Sequence, residues 1–154
     1  MKITYKGDYA LKALFQLALQ YEDGPELVMS ISEISEKGDM PTKFLEQILL
    51  TLRKGGFVKS KRGINGGFYL ACPPEDITIG KVIRFIEGPI GPIACAEQDE
   101  YSGCKDINCC IFRDVWKEVN MAISVVVDTL TFAELLTRYR ERGSRLIPTH
   151  DYSI

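Results

Sequence analysis

The stretch from Ser30 to Ala71 constrains the fold most, because its local signals come in an order that few architectures use. Ser30-Ile31-Ser32-Glu33 is a capping box that opens a short helix with Ile31 and Ile34 inward, and Gly38-Asp39 ends that helix. Pro41 suits the first turn of the next helix, where its missing N–H costs nothing. This helix is predicted to reach about Lys54 and to bury Phe44, Leu45, Ile48, Leu49 and Leu52, leaving Thr42, Lys43, Glu46 and Gln47 outside. After Gly55-Gly56 come two short strand-like runs, 57–60 and 68–71, around Arg62-Gly63-Ile64-Asn65-Gly66-Gly67, with Asn65-Gly66 expected to take the positive φ of the turn. Two helices joined by a tight turn and followed by a hairpin make a winged helix-turn-helix.

The net charge is only −2, so a surface for nucleic-acid phosphates has to be local. Arg53, Lys54, Lys59, Lys61 and Arg62 form a basic run with no acid between them. The bland alternative is a structural hairpin with solvated charges. Basic strand ends, a glycine-rich tip and a preceding helix-turn-helix agree better with a wing that contacts DNA.

On the N-terminal side, Ala10, Leu11, Leu14, Leu17, Ala18 and Tyr21 recur at helical spacing, which predicts a helix over 8–21 closed by Gly24-Pro25. Beyond Pro73-Pro74, Thr78 caps a helix carrying Ile79, Val82, Ile83 and Ile86, and 88–92 ends it. The longest helix is predicted from Ile111 to about Leu130, with a broad apolar stripe through Val115, Val119, Ile123 and Val126 that Trp116 and Val127 widen. Such a stripe needs cover, either from its own chain or from the same helix of a second subunit in a two-fold dimer; the small size of the other elements favours the dimer. Thr131 opens a last helix to about Arg142. The chain thus reads as mainly α with a small β-hairpin: a winged helix-turn-helix over 1–90, a cysteine-rich loop over 91–110, a dimerisation helix and C-terminal helix over 111–142, and a flexible tail over 143–154 holding His150.

The loop carries the chemistry. Four of the five cysteines, Cys95, Cys104, Cys109 and Cys110, fall within it, among Glu97, Asp99, Glu100 and Asp106. Thiolates are soft anionic ligands, and several held close together need a cation or a disulfide to offset their repulsion. The odd cysteine count and the absence of an export signal argue against a secreted disulfide framework and predict a cytoplasmic protein; the short apolar runs predict no membrane span. A thiol enzyme is disfavoured because there is neither a Cys-x-x-Cys pair nor a well-placed histidine. Metal binding and a metal-free thiol switch are the open readings. Adjacent Cys109-Cys110 poorly suit two corners of one zinc tetrahedron, and Cys72 reads as a small buried apolar residue.

Several motifs, taken in order, carry a family resemblance. Lys6-Gly7-Asp8-Tyr9-Ala10-Leu11, the run 44–49, the wing 58–68, Ile77-Thr78-Ile79-Gly80 and Glu87-Gly88-Pro89 resemble the BadM-type winged-helix regulators, a family that includes IscR, NsrR, RirA and CymR. The similarity covers about residues 1–136. It implies a homodimer on a roughly palindromic double-stranded DNA operator. Thr42, Lys43, Phe44, Glu46 and Gln47 would start the recognition helix, and a glutamate there can accept from a cytosine amino group. Lys59, Lys61, Arg62, Gly63, Asn65 and Gly66 would form the wing contacts, though Ile64-Asn65 stands where many relatives carry proline and glycine.

The resemblance also implies a cofactor, an iron–sulfur cluster. In cluster-binding members the third loop cysteine lies six residues before a tryptophan, which selects Cys110 by reference to Trp116, then Cys104 and Cys95. Cys109 is a spare or a replacement for Cys110. The histidine that supplies a further ligand in IscR-like members is Arg113 here, which cannot ligate. The aspartate that does so across the dimer in NsrR-like members corresponds to Asp8, for which a helix N-cap is the alternative role. This ligand set leans toward a 4Fe-4S cluster, with 2Fe-2S as the alternative.

Overall fold

A computed structural model describes residues 3–97 and 103–143. His150, nearly all of the tail, and loop residues Asp99 and Glu100 lie outside the described residues. The helices are α1 (Tyr5–Asp23), α2 (Ile31–Gly38), α3 (Thr42–Lys54), α4 (Ile79–Glu87), α5 (Ile111–Thr129) and α6 (Phe132–Glu141). Between α3 and α4 lies a two-stranded antiparallel hairpin, β1 (Val58–Lys61) with β2 (Gly67–Leu70), in a register that pairs Val58 with Leu70 and Lys61 with Gly67.

The local signals act as their chemistry requires. Ser30 Oγ accepts from Glu33 N–H while Glu33 accepts from Ser30 N–H at 2.7 Å, closing the capping box of α2. These bonds hold the Glu33 carboxyl below the usual carboxylate range. Thr78 and Thr131 accept from Lys81 N–H and Glu134 N–H to cap α4 and α6. Apolar faces of α1, α2 and α3 converge with the hairpin on one core that includes Leu14, Ile34, Leu49, Leu52, Val58 and Leu70.

This core also takes in α6. Phe132 and Leu136 are buried in it, Phe15 meets Tyr139 edge-on at 5.4 Å, and Phe132 N–H donates to Ile77 O at 3.0 Å. Helix α5 is different, since none of its residues is buried. Its Ser124 and Asp128 side meets Arg84 of α4, while Ile111, Phe112, Val115, Val125 and Val126 lie in solvent. Cover for this stripe from within the chain, one of the two alternatives, is therefore only partial among the described residues: Ile123 and Val127 are half-buried, while Val115, Trp116, Val119 and Val126 are exposed.

Three details differ from the sequence reading. Helix α1 begins at Tyr5, a turn earlier than its apolar periodicity indicates, so Asp8 lies inside the helix and Thr4 is the N-cap. The missing cap comes from far along the chain. Glu87, the last residue of α4, accepts from Thr4 N–H at 3.1 Å, Thr4 Oγ–H at 2.6 Å and Gly7 N–H at 3.0 Å. A side chain on Gly7 would overlap that carboxylate, which explains a glycine inside a helix. Second, Phe44 is 58% exposed and outside the core. Third, the wing turn takes its positive φ at Gly63 (φ 108°), not at Asn65 or Gly66. Gly66 serves close approach instead: its N–H donates to Gly63 O at 2.9 Å, and a Cβ there would lie 3.0 Å from the Arg62 carbonyl carbon. Helix α2 ends at Gly38-Asp39 as read, with Asp39 in the left-handed region (φ 49°), which this residue type tolerates.

Glu87→Ala removes the acceptor for three groups at the start of α1, and by the scale of lost N-caps it is expected to cost about 1–2 kcal/mol in urea unfolding. An unchanged unfolding midpoint would show that the clamp adds nothing.

Candidate functional site

Two groups of residues stand out. The first is the outer face of the helix-turn-helix and hairpin. Thr42, Lys43, Phe44, Glu46 and Gln47 are all exposed at the start of α3, because Leu45, Ile48, Leu49 and Leu52 turn the other side of the helix into the core. Thr42 Oγ1 lies 2.9 Å from Ser35 Oγ, which itself donates to Met40 O at 2.5 Å, so the turn and the recognition face are tied together. Beside this face runs an open groove lined by Tyr5, Lys6, Tyr9, Lys12, Phe44 and Gln47, among others.

In the wing, Lys59 and Arg62 are exposed, whereas Lys61 is exposed but engaged. Its Nζ donates to Glu26 O at 3.1 Å, pairs with Glu26 Oε2 at 3.3 Å and sits 5.2 Å from the centre of the Tyr69 ring. Glu26 is 78% exposed, so this pair is weak. Arg53 Nη1 donates to Ser60 Oγ at 3.2 Å and thereby links the end of α3 to β1. Gly63, Asn65 and Gly66 form the tip, with Gly63 and Asn65 exposed.

The second group is the thiol loop. Cys95 is half-buried in a short 3-10 turn over Ala94–Ala96. Cys104 and Cys109 are exposed, and Cys110 is half-buried at the residue that precedes α5. All five thiols are free. Arg113, standing where a histidine ligand was sought, donates from Nε to Cys95 O at 2.9 Å and holds the Cys95 turn against the first turn of α5. Farther along, Glu97 accepts from Ile90 N–H at 3.2 Å and lies 4.0 Å from Arg84 Nε. Arg84 in turn binds Asp128 bidentately and donates to Ser124 Oγ at 3.0 Å. Hydrogen bonding to Asp128 pushes the Arg84 guanidinium further up from its ordinary range.

As donors, Cys95, Cys104 and Cys110 with Asp8 suit iron: three soft thiols and one displaceable carboxylate. Asp8 is not an N-cap. Its Oδ2 pairs with Lys12 Nζ at 3.0 Å, and the same oxygen is shielded from solvent without an aligned hydrogen bond, so it has an acceptor position to offer. Among the described residues of one chain, however, no three His, Cys, Asp or Glu side chains are gathered closely enough to hold a metal. Cys72 is half-buried, and burial, then Asp76, pushes its thiol up, consistent with an inert packing role. Periodicity and motif reading did not reveal the roles of Gly7, Arg84 and Glu87, whose partners are remote in sequence; only their places in the family-like motifs hinted at Gly7 and Glu87.

Comparison with known proteins bears on both groups. A family model described as Rrf2, iron-dependent transcriptional regulator, matches residues 3–138. An Rrf2-like HTH-type transcriptional regulator from Rhodobacter capsulatus is 40% identical over 137 residues, which is 87% of this chain and 91% of that protein. Among solved structures, CymR, the global cysteine regulator of B. subtilis, matches with a TM-score of 0.72 at 32% identity, covering 90% of this chain and 98% of CymR. IscR of T. potens matches with a TM-score of 0.73 at 32% identity, covering 95% and 93%. No helix among the described residues is long and apolar enough to cross a membrane. The winged-helix architecture is that of these neighbours, and the relatives are regulators of transcription and not enzymes, as the sequence had indicated; this chain belongs to the Rrf2 family of transcriptional regulators.

Proposed function

We propose that the protein is a homodimeric, cytoplasmic transcription regulator that binds a double-stranded DNA operator and senses redox, nitric oxide or iron status through an iron–sulfur cluster. The observation that carries this reading is the position of the free thiols at the foot of a helix whose apolar face is bare: Cys110 leads directly into α5, and Ile111, Phe112 and Val115 follow in solvent. Packing α5 on its copy from a second chain buries that face. In such a dimer Cys95, Cys104 and Cys110 of one subunit and Asp8 of the other would be the ligands, with 4Fe-4S favoured over 2Fe-2S. Bound there, the cluster supplies a group whose stability depends on oxidants, nitric oxide and iron supply.

The rest is done by this chain's own residues. Arg113 ties the Cys95 turn to α5, Glu97 and Arg84 tie the following segment to α4, and Glu87 ties α4 to α1. Lys12 holds Oδ2 of Asp8, so ligation through that oxygen would displace Lys12 and ligation through the other would leave the pair in place; in either case α1 is the element whose contacts differ between the two states. A regulator works only if those states differ in operator affinity. The alternative is a metal-free thiol switch or a structural metal site, and the exposure of Cys104 and Cys109 supports the former.

Three outcomes are expected. Anaerobic reconstitution with iron and sulfide yields a coloured protein with acid-labile sulfide, which Cys110→Ala abolishes, Cys109→Ala keeps and Asp8→Ala makes less stable. A colourless, sulfide-free product would remove the cluster, and a disulfide found by mass spectrometry after mild oxidation would then identify the thiol switch. Sedimentation of Val115→Asp is expected to show a monomer with unchanged helical content, whereas a dimer in this variant would dismiss α5 as the interface. In gel shifts, Glu46→Ala relaxes preference at one base pair by about 1–3 kcal/mol, while Arg62→Ala weakens all sequences alike and lowers the salt slope by about one. Unchanged preference in the Glu46 variant would refute its reading role.

A further inference from the structure

The wing ends in a residue that its chemistry does not explain. Ile64 stands at the tip with 105% exposure, so its side chain gains no burial from its own chain. A tip that only held phosphates would gain from side-chain donors, and the isoleucine side chain has none. Single exposed aliphatics on a flat surface are ordinary. This one is held on a fixed projection: Gly63 supplies the φ of 108°, Gly66 N–H closes the turn onto Gly63 O at 2.9 Å, and Phe68 is bonded in both directions to Met29 at 2.8 and 2.9 Å. Its branched Cβ restricts χ1, so little freedom is lost when it is confined. Exposed Arg62 precedes it by two positions, with Lys59 and Lys61 behind on β1.

We infer that Ile64 is an apolar wedge that enters the minor groove of duplex DNA and partly opens one flexible base step, which makes the wing a determinant of sequence choice as well as of affinity. The inference rests on the DNA-binding reading above. Cations beside the wedge are drawn to the negative potential of the groove and set the depth of entry, while the aliphatic side chain takes the place of stacking that the step loses. Pyrimidine–purine steps unstack most easily, so the wedge discriminates through deformability without a hydrogen bond to any base.

The test uses the full-length protein and a random-sequence duplex library. Sequences selected by the wild type are expected to carry a TA or CA/TG step at a fixed offset from the half-site read by α3. With Ile64→Ala the enrichment of that step disappears, the wild-type-selected duplex binds about tenfold more weakly, the scale of one lost base-pair preference, and its bend in a circular-permutation gel decreases. Fluorescence of 2-aminopurine placed at the step rises with the wild type and not with Ile64→Ala. The salt slope stays the same in this variant, whereas Arg62→Ala lowers the slope and keeps the step. Because Ile64 packs against nothing, its thermal midpoint is expected to match the wild type, which separates lost recognition from lost folding. Identical step enrichment and bend in Ile64→Ala would overturn the wedge alone. A wild type that selects no duplex at all would overturn the DNA-binding reading, and the wedge with it.

Discussion

One carboxylate joins the end of α4 to the start of α1. Glu87 lies at the C-terminal end of α4, where the helix carries partial negative charge and an acidic side chain is disfavoured. It lies equally at the N-terminal end of α1, where unpaired N–H groups favour it, and the three hydrogen bonds to Thr4 and Gly7 decide the balance. The two helices thus meet tail to head through a shared side chain. This contact sets the first turn of α1 and hence the positions of Tyr5, Tyr9 and Lys12 along the groove beside α3. It also brings the exit of α4, from which the thiol loop departs, against the DNA-reading head.

Past that joint, Ile90 and Ala96 pack inward, and two arginines hold the segment around them. Arg84 gathers Glu97, Ser124 and Asp128, and Arg113 takes the Cys95 carbonyl. Such partly exposed polar contacts are individually weak and lose little when they exchange partners. The contrast with the core of the head, where Leu14, Ile34, Leu45, Leu49 and Leu52 are fully shielded, marks which part yields and which part keeps its shape.

Much of the head was legible because its signals are local. The capping box at Ser30, the caps at Thr78 and Thr131, the basic hairpin and the bare stripe of α5 each depend on residues within a few positions of one another. The start of α1 was not legible, since its cap comes from Glu87, more than eighty positions away. Phe44 was assigned to the core by hydropathy, yet it falls on the outer side of α3, where a large apolar face contacts the groove and not the interior. The turn was misassigned because a glycine can serve close approach as readily as positive φ, and only the backbone path separates Gly63 from Gly66. The thiols were recognised as chemistry from their density, but no count of spacings within one chain can assemble a site whose ligands are not gathered there.

The bridge between Met29 and Phe68 has a broader consequence. It attaches β2 to the residue just before the capping box of α2, so the wing is a third-strand extension of the same body that carries α2 and α3. A Cβ on Gly67 would lie 2.5 Å from Met29 O, so the two segments cannot be prised apart even slightly by substitution without breaking that strand pairing. A head built this way is aimed as a unit. In the dimer proposed above, each head would bring its α3 face and its wing to DNA as one piece, and the placement of one head relative to the other would be the quantity left to vary.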